Sequence, residues 1–189
     1  MEKKPARHSK EERKKQILET AKTIFIKKGY DAATTAGIAK EAGIAEITLF
    51  RYFSSKRELF ESIFIPFLNN SMVDRVVFDH TKSTEEQVYE LLYKKTEFIS
   101  QHQGEIKLLL TEHERFSLRE NYIEKIYNLV KDQLLDLNIN VVDFFHMRVL
   151  VGMLLSFLYF PAQTETEKDI FIKYIVHLLL NPSETGVNA

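Results

Sequence analysis

The sequence predicts an all-α protein of about nine helices, and three observations carry that expectation. Four Ser/Thr-x-x-Glu patterns, Ser9 with Glu12, Ser55 with Glu58, Ser83 with Glu86 and Thr164 with Glu167, pair a hydroxyl with a carboxylate that satisfies free amides in a first helical turn. Glycines and prolines supply the stops, at Gly29, Gly43, Gly104, Pro161 and Pro182. Apolar residues recur at helical spacing, and no stretch alternates convincingly with the period of a strand.

Taken in order, the patterns predict helices over 9–28, 35–42, 46–52, 55–79, 84–102, 104–114, 118–137, 142–159 and 165–180. In the first, Ile17, Ala21, Ile24 and Phe25 line one buried face. Pro66 interrupts the fourth, where an interior proline removes a backbone hydrogen bond. Apolar periodicity continues through Phe67, Leu68 and Met72 as far as Phe78, so a kink is expected rather than a break and restart. Two helices near the end, Val141 to Phe160 and Ile170 to Leu180, are apolar over most of their circumference and need covering on several sides. A second copy of the chain would do so, and Gly152 and Ser156, four apart, would allow a close approach at that seam.

The segment from Thr34 to Phe60, TTAGIAKEAGIAEITLFRYFSSKRELF, has the layout of a helix-turn-helix. Ala39 lets two helices approach closely, and Gly43 is suited to the left-handed conformation that ends the first. Ile38, Ile44 and Leu49 are expected to form the small core between them. Ala45 opens the second helix, on which Glu46, Ile47, Thr48, Arg51 and Tyr52 fall outside that core. Side chains so placed meet base edges and phosphates in the major groove. Glu46 suits cytosine N4, and Ile47 and Thr48 suit a thymine methyl. Arg51 suits either guanine or a phosphate. Thr35, Tyr52 and Lys56 offer hydroxyls and a cation for phosphate oxygens. Lys3, Lys4 and Arg7 form either a basic arm for an adjacent groove or a tail with no role.

These residues resemble the TetR family of bacterial one-component repressors: a preceding helix ending in Gly29-Tyr30, the pair Thr34-Thr35, the run Ile38-Ala39-x-x-Ala42-Gly43-Ile44 and the closing Tyr52-Phe53-x-x-Lys56. The likeness covers about the first third of the chain. Ile47 stands where that family usually has glycine, and Phe50, where it usually has tyrosine, lacks a hydroxyl that in relatives commonly touches a phosphate. The resemblance implies an N-terminal three-helix DNA-binding domain over 1–56 and a C-terminal helical ligand-binding and dimerisation domain over 57–189. It also implies a homodimer through the last two helices on a pseudo-palindromic operator. A small-molecule effector would occupy a pocket, for which Phe67, Tyr93, Phe116, Tyr127 and Met147 are the candidate lining residues. Aromatic and methionine stripes at helical spacing equally suit plain core. The stripe of Tyr89, Tyr93, Thr96 and Ser100 is open to the same two readings.

Composition agrees with this division. The 189 residues carry a net charge of −1, but Met1 to Phe60 holds 14 Lys/Arg against 8 Asp/Glu, and the remainder holds 12 against 19. A basic head on an acidic body is the electrostatic footprint of a DNA-binding protein. The chain has no cysteine, which excludes disulfides, thiolate metal sites and cysteine redox chemistry. No 18-residue uncharged apolar run and no apolar export signal occurs, so a cytoplasmic location is expected, with no membrane partner. Glu112, His113 and Glu114 with His146 are metal-ligating residue types, yet successive helical residues point to different faces, and neither a metal nor a cofactor is expected. There is no HExxH, glycine-rich phosphate loop or serine nucleophile motif, so the sequence offers nothing for an enzyme. A DNA-binding adaptor whose body engages a protein instead of a small molecule is the alternative to a ligand-responsive repressor.

Overall fold

A computed structural model describes residues 9–67, 75–112, 122–139 and 144–181, with side chains from 127 and 148 onward in the last two stretches. Among the described residues every regular element is a helix: α1 (Lys10–Ala32), α2 (Thr35–Glu41), α3 (Glu46–Phe50), α4 (Lys56–Pro66), α5 (Thr84–Gln101), α6 (Gln103–Glu112), α7 (Tyr122–Asp136), α8 (Phe144–Tyr159) and α9 (Glu165–Leu180). The chain falls into two compact units, Met1–Met72 with Leu108–Glu114, and Val73–Lys107 with Arg115–Ala189.

All four expected caps form, in two versions. Ser9 and Ser83 make complete reciprocal boxes with Glu12 and Glu86. Ser55 and Thr164 accept from the amides of Glu58 and Glu167. The two carboxylates, however, reach one residue further back, to the amides of Ser54 at 2.6 Å and Gln163 at 2.8 Å. The hydrogen bonds from the Ser54 hydroxyl and amide hold Glu58 below the ordinary carboxylate range.

Helix ends follow local geometry more closely than composition. Gly29, at φ 77°, and Gly43, at φ 66°, are in the left-handed region as expected. Gly104 is not a stop: it lies inside α6, and α5 ends at His102. At the break, His102 is at φ −121° and ψ 28°, its ring lies 4.5 Å from that of Phe98, and its Nδ1 is 3.4 Å from a Glu105 carboxylate oxygen. Asn138, at φ 59°, closes α7, with the Ile139 amide donating back to the Leu134 carbonyl at 2.9 Å. The helix expected over 55–79 does not reach its predicted end: α4 spans Lys56–Pro66, Phe67 keeps helical angles, and residues 75–79 are not helical. Val76 and Phe78 pack on the second unit's core from a segment without regular secondary structure. The predicted starts near 118 and 142, the Pro182 stop, and the His113, Glu114 and His146 side chains lie outside the described residues.

In the first unit, Ile17, Ala21 and Phe25 of α1 bury one face, while Ile24 is only half-buried. Phe25, Tyr30, Phe60 and Phe64 form an aromatic cluster with ring centroids 4.4 to 6.4 Å apart. In the second unit, Val88, Leu91 and Leu92 of α5 pack with Leu134 of α7, Leu150 and Leu154 of α8, and Ile172 and Val176 of α9.

A polar seam joins α5 to α9 above that core. Lys168, buried, donates to Glu97 at 3.0 Å and to Glu165 at 3.1 Å, and its ammonium lies 4.2 Å from the Tyr93 ring centroid. Tyr93 donates to Glu165 and Tyr89 to Asp169. Burial alone would lower the Lys168 pKa, but the hydrogen bonds to Glu165, Glu97 and Tyr93 raise it above the ordinary lysine value. Burial, then the bond to Asp169, pushes Tyr89 up to about 12. Both folded-state values are raised, so both contributions are complete below the unfolded values near 10 and are lost as pH rises through the folded ones. The stability advantage of the wild type over Tyr89→Phe should therefore shrink between about pH 10 and pH 12. Thermal melts of the two proteins from pH 8 to 12 check this, and a constant difference would contradict it.

Candidate nucleic-acid interface

The first unit presents α3 through a turn built from backbone hydrogen bonds. The Gly43 amide donates to the Lys40 carbonyl at 3.1 Å and the Ile44 amide to the Ala39 carbonyl at 3.0 Å, the pair of bonds that closes a helix through a left-handed residue. Ala39, 1% exposed, permits the close approach of α2 and α3, and Ile38 and Leu49 are fully buried. Ile44 is half-buried, a margin of that core. The Gln16 side chain ties α1 to the turn through the Ala42 carbonyl at 3.3 Å. Thr34 caps α2 by accepting from the Gly37 amide.

With Leu49 facing inward, the other α3 positions turn outward. Ile47 is 69% exposed, Phe50 is 44% exposed, and Ala45 and Arg51 are exposed. Thr35, Glu46, Thr48 and Tyr52 are half-buried. Thr35 and Glu46 meet: the Thr35 hydroxyl donates to Glu46 Oε1 at 2.6 Å. The threonine hydroxyl thus orients a carboxylate at the first turn of α3, where the helix dipole favours negative charge.

Lys56 has a structural task that sequence reasoning missed. Its ammonium donates to the carbonyls of Tyr30 at 2.9 Å, Asp31 at 3.4 Å and Ala33 at 3.0 Å, and stands 4.2 Å from the Tyr30 ring centroid. It closes the loop between α1 and α2 with all three of its donors. Nothing in the spacing of the sequence signals this contact, because the loop lies more than twenty residues upstream.

Of the residues proposed for an effector pocket, Phe67, Tyr93 and Tyr127 have described side chains. Phe67 follows α4 in the first unit and is half-buried. Tyr93 on α5 and Tyr127 on α7 are both half-buried against the second unit's core. Tyr93 and Tyr89, stacked 6.0 Å apart, also border an open cleft of ≈ 540 Å³ with Val176, Lys82, Lys94 and Lys173. In the wider stripe, Thr96 is fully buried and Ser100 exposed, so those four positions do not share one environment. Phe116 and the Met147 side chain lie outside the described residues. Among the described residues no group of three His, Asp or Glu side chains is placed to hold a metal ion, and no helix is long and apolar enough to cross a membrane.

A tri-helical unit whose short third helix turns a mixed polar and apolar face outward has the layout of a helix-turn-helix DNA-binding domain. Residues 17–63 match the family model for bacterial regulatory proteins of the tetR family. The match covers the helix-turn-helix region, about a quarter of the chain. The chain is similar to the nucleoid occlusion factor SlmA of Vibrio cholerae, 29% identical over 126 residues, which are 62% of this chain and 64% of that protein. It is also similar to the HTH-type transcriptional regulator YhgD of Bacillus subtilis, 34% identical over 99 residues, 51% of each chain. The chain thus spans less than two thirds of these relatives' length. Among solved structures, a TetR family transcriptional regulator from Pseudomonas syringae pv. tomato superposes with a TM-score of 0.67 at 20% identity, covering 92% of this chain and 97% of that one. The ketosteroid transcriptional regulator KstR2 of Mycobacterium tuberculosis superposes with a TM-score of 0.63 at 21% identity, covering 89% and 94%. These two likenesses concern the fold.

Lys56→Met keeps the aliphatic stem over Tyr30 and removes the three donors, leaving carbonyls of a partly buried loop without them. The substitution should destabilise the protein by about 1–3 kcal/mol. Denaturant melts of the two proteins measure this, and an unchanged midpoint would refute the clamp.

Proposed function

We propose that the protein is a transcriptional regulator, and not an enzyme, that acts in the cytoplasm. In this reading it binds a pseudo-palindromic operator as a homodimer and is released by a small apolar or amphiphilic effector. The observation that carries the DNA-binding part is the outward face of α3, with Ile47 69% exposed and Arg51 exposed opposite the fully buried Leu49, on a head with 14 Lys/Arg against 8 Asp/Glu. In this reading Ala45, Glu46, Ile47, Thr48 and Arg51 meet the major groove, and Thr35, Tyr52 and Lys56 stand beside the phosphates. The clamp on Lys56 limits it to a supporting electrostatic part.

The dimer is supported by the outer surface of α8 and α9. Tyr159 (57%), Ile170 (63%) and Tyr174 (59%) on two consecutive helices, and Phe160 (80%) just after the first, are large apolar or aromatic residues left exposed. Gly152 is exposed and has open space in front of it. A second reading, a DNA-binding adaptor whose body engages a protein, is compatible with the likeness to nucleoid occlusion factors.

Two-fold symmetry predicts two half-sites whose centres lie roughly one helical turn apart or somewhat more. Footprinting on a duplex selected from a random library tests it, and protection of a single unrepeated half-site would overturn the dimeric operator. Ile170→Glu should shift the protein toward monomer in sedimentation and weaken operator binding at least ten-fold, whereas an unchanged sedimentation coefficient would move the interface elsewhere. An effector that binds one of two states must weaken operator binding by the same factor by which the operator weakens effector binding, roughly 5–150-fold. Titrating an effector in the presence and absence of saturating operator measures both; an adaptor would give equal constants.

A further inference from the structure

We propose that Ile47 and Phe50 form an apolar ridge that reads the C5-methyl group of thymine, so that each operator half-site carries a thymine under that ridge. This rests on the DNA-binding reading and names the base chemistry that α3 selects. The ridge is not part of the fold's interior. Ile47 lies on the side of α3 opposite Leu49, which is fully buried, and Phe50 stands three residues on, within reach of the same surface. At 69% and 44% exposure the two side chains are the large apolar groups α3 leaves to solvent. Single exposed apolar residues are ordinary, but two neighbours on the outward face of one short helix in a basic head form a patch with a partner to meet.

The partner's chemistry follows from what the major groove offers. Among the four bases the one methyl group it offers is the thymine C5-methyl; apart from ring C–H edges, every other group on the floor donates or accepts a hydrogen bond. An isoleucine and a phenylalanine ring can therefore discriminate only through that methyl, or by covering polar edges at a loss. Polar readout by the neighbouring acid is narrow. The Glu46 carboxylate accepts only, and the Thr35 hydroxyl already holds Oε1 at 2.6 Å, so the remaining oxygen suits an exocyclic amine of cytosine or adenine and not thymine O4. Thymine readout therefore rests on apolar contact, and beside the half-buried Thr48 the ridge is the larger apolar surface that α3 exposes for it.

The experiment uses the full-length protein and a duplex selected from a random library, with each thymine replaced in turn by deoxyuridine. That change removes one methyl and leaves every hydrogen-bonding group in place. Dissociation constants are measured by fluorescence anisotropy at fixed salt for the wild type, Ile47→Ala and Phe50→Ala. Both positions are exposed, so circular dichroism and thermal melts should match the wild type.

At one or two thymines per half-site, deoxyuridine should weaken the wild type about four-fold per methyl, the value of one buried carbon. Ile47→Ala or Phe50→Ala should bind more weakly and lose that sensitivity, with an unchanged salt slope. Wild-type binding that is indifferent to every deoxyuridine, or a penalty that persists undiminished in both variants, would overturn the proposal while leaving DNA binding intact. Failure of any duplex to be enriched or bound would overturn the DNA-binding reading and the ridge with it.

Discussion

A helix of five residues cannot hold itself together in water, because nucleation fixes several backbone dihedrals before the first hydrogen bonds compensate. The interface depends on this constraint. α3 exists because Leu49 and Phe53 are buried on one side of it and because the turn before it is closed from both ends. Gly43 supplies the left-handed residue, Ala39 the close approach, and Gln16 a tie from α1 to the turn. Since the packing side is fully committed to Leu49, the remaining circumference is free to carry chemistry without affecting the fold.

The same economy explains why the surroundings of α3 are rigid in an otherwise polar head. The segment between α1 and α2 would leave carbonyls unsatisfied where the chain leaves Gly29, and the Lys56 ammonium takes three of them while stacking on Tyr30. Tyr30 in turn packs edge-on against Phe60 at 5.3 Å. The start of α4, the end of α1 and the entrance to α2 are thereby one network, and the orientation of α2 is inherited by α3. Thr35 extends this order to the reading surface by holding Glu46 at the first turn.

The second unit relies on a different balance. Its core is aliphatic, and the α5–α9 seam adds a buried lysine whose charge is held by Glu97, Glu165 and the Tyr93 ring. Taking one cation out of water is unfavourable unless its donors are met, and here they are met from both helices. Such a seam specifies the register of α9 on α5 more than it adds net stability. The aromatic surface of α8 and α9 lies outside that arrangement and is left exposed.

Much of this was legible in the sequence because its signals are local. Capping hydroxyls, the glycines at 29 and 43 and the apolar periodicity act over a few residues, so the helices, their order and the inward position of Leu49 follow from spacing alone. The outward set on α3 was legible for the same reason: once Leu49 is buried, helical geometry sends Ile47 and Arg51 to the opposite side. Tertiary structure alone decided what depends on distant partners. It took Val76 and Phe78 out of the expected helix and brought Lys56 to carbonyls 23 to 26 residues away. It also joined Thr35 to Glu46 across the turn and set Lys168 against Glu97, 71 residues apart in the chain. Helix periodicity tells which face a residue occupies, but a side-chain polar group finds its partner only when two helices have been packed together.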